Sequence, residues 1–289
     1  MTLIAILVSL VLERLLDQVQ DLRRYERYQD YVEWMRQRLR GDPWEGRLGV
    51  LALLAPVVLA TLLLQAGLDE ALFGLLGLLF AVAVLLFCLG PRDLGHEVSA
   101  YRDAYASDNR ELATRLARTL LGHEPPEDRD GQAHAVTRAV LVQANVRIFG
   151  VLFWFALLGP VGAVLYRATT ELRLHTQQDN DEFAWAARQL GEILDWLPAR
   201  LTALGYALSG DFEAAVVRWR EAVAGTERWS APAAEVLAAT GGGALDLEPE
   251  SQDSVGWDRT LQSAMGLVWR TLILWVFVIA LLTLAGWAG

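Results

Sequence analysis

The chain alternates between long uncharged runs and polar stretches dense in charge. Leu48–Ala66 and Ala71–Leu89 are uncharged and long enough to cross a bilayer as helices, which takes roughly 20 apolar residues. Leu267–Trp287, charged only at Arg270, is the last candidate span. The N-terminal run, about 2–16, is shorter and takes in Glu13 and Arg14, so alone it is a marginal span. Ile148–Tyr166 is uncharged but broken by Gly159-Pro160. Two readings of that break stay open: a crossing with a kink, or a broken, re-entrant segment whose freed backbone groups are covered by protein. The polar stretches 17–46, 92–147 and 171–266 predict amphipathic helices. Tyr25, Tyr28, Tyr31 and Trp34 recur every three residues, an aromatic face suited to anchoring at the membrane interface. Leu112, Leu116 and Leu120 form one apolar stripe, and Phe183, Ala187, Leu190 and Leu194 another. LDWLPARL at 194–201 predicts an amphipathic helix at the lipid surface, stopped by Pro198. Thr240–Ser254 has the composition of a flexible linker.

The fold class expected is therefore all-α: an integral membrane protein with four to five hydrophobic helices plus amphipathic cytoplasmic helices, forming a single domain over residues 1–289. No strand pattern and no internal repeat is evident. Trp257, Trp269 and Trp287 suit interfacial belt positions.

Charge sets orientation. Six arginines fall within 17–46 and eight within 92–147, which places both stretches in the cytoplasm by the positive-inside rule. The turn at Asp69-Glu70 carries no arginine and suits the outer face. The localisation that follows is the bacterial inner membrane, with the polar regions mostly cytoplasmic. A net charge of −10 argues against nucleic-acid partners. All 25 basic residues are arginine, so Schiff-base chemistry and a phosphate-loop lysine are excluded. The single cysteine, Cys88, allows no intrachain disulfide. His96, His123, His134 and His175 are scattered without metal-ligand spacing, and no metal site is expected from them. Magnesium stays open, since it needs only one or two carboxylates and can borrow phosphate oxygens from a ligand.

The candidate site residues are polar groups near membrane boundaries: Glu13, Arg92, Asp93, Asn145, Arg147, Arg167, Asp195 and Arg200. Arginines beside carboxylates form structural ion pairs or line a pocket for a small anionic or phosphate-bearing ligand, which the guanidinium grips bidentately.

GPRDL at 90–94, NVRIFGVLFWFALLGPVGAVLYR at 145–167 and DWLPARL at 195–201, in that order, resemble a membrane superfamily whose best-known members are the amide-forming synthases of cobalamin biosynthesis, the CbiB/CobD type. Within it the chain is most similar to the AmpE family, modulators of beta-lactamase induction. VLERLL at 11–16 and the closing hydrophobic helix extend the likeness over nearly the whole chain. The resemblance implies ligand-binding roles for Glu13, Arg92, Asp93, Asn145, Arg167, Asp195 and Arg200. It also implies that the polar regions serve one site on one side of the membrane, which favours the re-entrant reading. The synthases carry an acid-rich signature before the LFW run; here the stretch reads VQANVRIFGVLFW, and no carboxylate occurs between Gly131 and Glu171. The expectation drawn is a regulatory or sensor protein without catalysis or cofactor, acting in beta-lactamase induction and antibiotic response through a muropeptide-like or nucleotide-bearing ligand. The alternative is a membrane-bound, ATP-dependent amide-forming or phosphoryl-transfer enzyme using magnesium with a nucleotide.

Overall fold

A computed structural model describes residues 2–15, 26–39, 41, 44–68, 74–89, 94–224, 231–247 and 257–285. Every regular element among them is helical, as the apolar patterning predicts. The chain forms two compact units: Met1–Pro91, Gly150–Asp195 and Val278–Gly289 in the first, Arg92–Phe149 and Trp196–Phe277 in the second.

The first unit holds α1 (Thr2–Leu15), α2 (Glu26–Arg38), α3 (Arg47–Leu68), α4 (Leu75–Cys88), α8 (Gly150–Leu158), α9 (Pro160–His175) and the start of α10 (Glu182–Ser209). Its organising feature is a helical hairpin. Gly159 has φ 66°, a conformation that glycine alone adopts freely, and Pro160 opens α9 where its missing N–H costs nothing. The chain therefore turns back on itself. A β-carbon on Gly150 would strike the Tyr166 ring, and one on Gly162 would strike the Trp154 carbonyl. Those pairings, 150 with 166 and 154 with 162, make α8 and α9 antiparallel. Ile148–Tyr166 is thus not one kinked crossing but the two arms of a hairpin.

The depth of the hairpin follows from α3. The amide of Gln65, near the end of α3, lies beside Gly159. Leu53 and Leu54 of α3 pack with Ala168 and Leu172 of α9 in one buried cluster, together with Val50 and Phe183. The two helices run antiparallel, and the hairpin reaches the last turn of α3. That helix is one of three long and apolar enough to cross a membrane, with Arg129–Leu158 and Trp257–Leu284. Leu59, Leu62, Leu63 and Leu64 are exposed on it, as expected of a face against lipid.

Two sequence expectations are corrected by these helices. Tyr28 and Tyr31 of α2 do not serve as interface anchors. They face protein and donate to the carbonyls of Ala168 (3.0 Å) and Leu53 (2.8 Å). Trp34 is exposed, under the Arg38 guanidinium at 4.5 Å. Pro198 does not stop its helix either, since α10 runs on to Ser209. A proline inside a helix leaves the carbonyl four residues earlier without its N–H donor. That carbonyl belongs to Leu194, and the indole of Trp154 donates to it at 3.1 Å.

The second unit holds α5 (Leu94–Ala106), α6 (Arg110–Leu121), α7 (Arg129–Ala144), the rest of α10, α11 (Phe212–Val223), α12 (Ala233–Ala244) and α13 (Trp257–Leu284) as far as Phe277. Side chains of Asn109, Asp128 and Asp211 cap the N-termini of α6, α7 and α11, each accepting from a backbone N–H three residues on. The buried face of α6 is Ala113, Ala117 and Leu120 rather than the Leu112 stripe, and Leu112 is exposed. The small alanines let α6 lie close to its neighbours. Thr240–Ala244, expected as part of a linker, closes α12, because β-carbons at Gly241 and Gly243 would crowd Leu141 and the Ala214 carbonyl. Trp257 packs against Tyr105, with ring centroids 3.7 Å apart and planes tilted by 43°. Trp287 and the Asp69-Glu70 turn lie outside the described residues.

Candidate functional site

The sequence-predicted residues fall into two constellations, one in each unit. Arg92 and Asp93 lie outside the described residues. Glu13 sits in the last turns of α1, partly buried.

In the first unit Asp195 is the hub. Its carboxylate accepts from the Tyr166 hydroxyl (2.5 Å) and from the Arg173 guanidinium (2.9 Å). Its side chain is 7% exposed, so both charges are held in a medium where a hydrogen-bonded pair is strong and an unpaired charge is costly. Arg167, the residue after Tyr166 on α9, pairs with Glu171 one turn on at 2.9 Å, both buried. Tyr28 packs beside this pair. Burial, then the neighbouring Tyr31 and Glu171, raise its pKa above the ordinary tyrosine value. The network joins α9 to α10 and α2. Gly150 makes room for the Tyr166 ring, and Trp154 supplies Leu194. Arg167 and Asp195 thus have internal partners on the hairpin itself.

In the second unit Asn145 is the hub. It begins a five-residue π-helical turn, Asn145–Phe149, between α7 and α8. Wide turns of this kind insert one residue into a helix and re-aim the side chains around it, and they are frequent at functional sites. The Tyr206 hydroxyl donates to the Leu141 carbonyl (2.8 Å), four residues before Asn145, where the regular pattern ends. Asn145 is 1% exposed. Its Oδ1 accepts from Thr202 (3.1 Å), whereas among the described residues its Nδ2 finds no hydrogen-bond partner. The same holds for the buried hydroxyl of Thr240. Arg147, in the same turn, forms a mostly buried pair with Glu97 at 2.8 Å, and Gln143 accepts from Arg147 and donates to the Leu120 carbonyl. Arg200 lies over the Trp196 ring (4.3 Å) and donates to the carbonyls of Trp196 and Ala231. Burial lowers its pKa.

Glu97, Thr202, Tyr206, Tyr166 and Arg173 were missed from sequence. Tyr166 ends an apolar run but carries no charge to mark it, the others sit in polar helical stretches, and each is brought in by helix packing. Pro198 was the one available signal, because the carbonyl it frees requires a donor such as Trp154. A cavity of about 760 Å3 in the first unit is lined by Glu33, Arg36, Trp44, Asp179 and Glu182 among others, and by none of the sequence-predicted residues. Among the described residues no three of His, Cys, Asp or Glu converge as a metal-holding group.

Helices that carry buried ion pairs and buried amides beside long lipid-exposed apolar faces define an all-helical membrane protein with an internal polar site. The family model for CobD/Cbib proteins matches residues 6–255. This chain belongs to that family. It is 30% identical to the cobalamin biosynthesis protein CobD of Stutzerimonas stutzeri (strain A1501) over 98% of both chains. It is 35% identical to that of Chromobacterium violaceum over 73% of this chain and 65% of the relative. The protein AmpE of Shigella flexneri is 27% identical over 78% of this chain and 80% of that one. No solved structure matches.

Proposed function

We propose that this chain acts in cobalamin biosynthesis as a membrane-bound, amide-forming enzyme of the synthase type, working in the bacterial inner membrane with its polar regions towards the cytoplasm. The observation that carries the reading is the end-to-end likeness to the Stutzerimonas CobD protein, which leaves no part of the chain unmatched by more than a few residues. The geometry supports it at Asn145. A buried amide whose Nδ2 group is without a partner among the described residues, set on a π-helical turn beside the Arg147–Glu97 pair, suits a ligand carbonyl or carboxylate. In this reading Asn145 and Arg200 of the second unit contact the ligand, and the hairpin network of Arg167 and Asp195 holds the frame of the first unit. A Mg–nucleotide co-substrate is part of the proposal only as the energy source that amide formation needs.

A second reading has its own observation. The stretch Gln132–Thr170 contains no carboxylate, which favours a binding protein over a ligase, as in an AmpE-type modulator of beta-lactamase induction sensing a small anionic, muropeptide-like ligand. One experiment separates the two. The gene is placed in a cobalamin auxotroph lacking its own CobD-type protein, and in a strain lacking its AmpE. Cobalamin-dependent growth in the first host supports the synthase. No growth there, with altered beta-lactamase induction in the second, supports the modulator. Failure in both hosts, with the protein present in the membrane, overturns both.

A further inference from the structure

We infer that the second half of α10, Leu197–Leu208, is itself embedded in lipid although it is not a membrane span. Along this stretch Leu197, Leu201, Leu204 and Leu208 are spaced by four, three and four residues, so they share one face of the helix. All four are exposed, between 38% and 59%. The opposite face, Thr202, Ala203 and Tyr206, is wholly buried and holds the Asn145 turn. A water-facing helix puts polar residues where this one puts leucines. From Leu201 to Ser209 there is no charged residue at all.

The neighbour of this helix in the same unit says what covers the leucines. At Gly205, α10 meets α13, where a β-carbon would lie 2.7 Å from the Thr271 methyl, and Ser209 and Thr271 hydroxyls are 3.4 Å apart. α13 is one of the three membrane-crossing candidates, and its Trp269, Ile273 and Phe277 are exposed. The leucine face therefore belongs to the helix that touches a span with its own lipid-facing side, and bilayer extends from one to the other. A leucine seam meant for a second copy of the chain is bordered by charges that set register. From Leu201 to Leu208 the intervening positions are Thr202, Ala203, Gly205, Tyr206 and Ala207, none of them charged, which favours acyl chains as the occupant. At the start of the stretch Arg200 folds back over Trp196 and its carbonyl, the posture of a cation kept at the boundary of an apolar layer. Gly210 and the Asp211 cap of α11 then end the stretch. The consequence is that one helix separates the Asn145 turn from lipid.

Nitroxide labels at Leu201→Cys, Leu204→Cys and Leu208→Cys in proteoliposomes test this. Cys88 is buried and stays in place, with the unsubstituted chain taken through labelling as the blank. Glu213→Cys, exposed at the start of α11, is the aqueous reference. The expected result is high collision with oxygen and low collision with a water-soluble nickel chelate at all three leucine positions, the reverse of Glu213. Nickel accessibility equal to that at Glu213 would overturn the inference in favour of water. Low accessibility to both, with spin–spin broadening that vanishes on dilution with unlabelled chain, would overturn it in favour of a second copy. Any one of the three variants that reaches the membrane suffices for the reading.

Discussion

The buried polar groups of the two units are made differently. Around Asp195 each of these polar groups is matched by another: Tyr166 and Arg173 to the carboxylate, Trp154 to Leu194, Glu171 to Arg167. Around Asn145 the accounting stays open, with Nδ2 and the Thr240 hydroxyl lacking partners among the described residues. A buried network that is closed fixes a structure; an unpaired buried donor is a standing cost of about 1–3 kcal/mol that folding alone does not justify. The proposed function rests on this difference: the closed network serves architecture, and the open amide at the π-helical turn is where a ligand is proposed to bind.

The comparison breaks most completely if the hairpin can be rebuilt. Gly162→Leu drives a side chain into the Trp154 backbone, and the expected outcome is loss of the folded protein from the membrane, a cost upwards of about 3 kcal/mol. Normal membrane abundance and an unchanged melting temperature in detergent would show that α8 and α9 are not packed as described.

Asp195→Ala comes next. It leaves Arg173 and the Tyr166 hydroxyl without their acceptor, a loss of roughly 3–5 kcal/mol for a buried pair broken on one side. Denaturation of the purified variant measures it, and a melting temperature within error of the parent would remove Asp195 from the architectural set.

Trp154→Phe sharpens the same side with a smaller effect. Removing the indole N–H strands the Leu194 carbonyl, at about 1–3 kcal/mol. Pro198→Ala restores a backbone N–H to that carbonyl, so the double variant should recover part of the loss. A double-mutant cycle with no coupling would contradict the pairing of Trp154 with the proline turn.

Much of this fold was legible in the sequence because lipid enforces long apolar runs, and α3 and α13 lie where those runs lie. The Gly159-Pro160 break was legible as a break, but its direction was not, since a kink and a reversal use the same two residues. Reversal is decided by Gly150 and Gly162, whose missing β-carbons admit the returning helix. Pro198 misled because local propensity ignores a donor supplied from forty residues away in the chain. At the site, Asn145, Arg167, Asp195 and Arg200 could be picked out as polar groups at the edges of apolar runs. Their partners could not, because Glu97, Thr202 and Tyr206 sit in ordinary helical sequence and gain meaning only through packing.

The most direct test replaces the open pair by apolar groups of similar shape and asks what stability does. In Asn145→Leu/Thr202→Val both hydrogen-bonding partners are removed together, an exchange that is close to neutral or stabilising when neither group serves the fold. Melting in detergent should show this variant at or above the parent, beside an Asp195→Ala variant well below it, while cobalamin-dependent growth in the auxotroph is lost. A melting temperature lowered as far as that of Asp195→Ala would make Asn145 architectural and contradict the division between the two constellations.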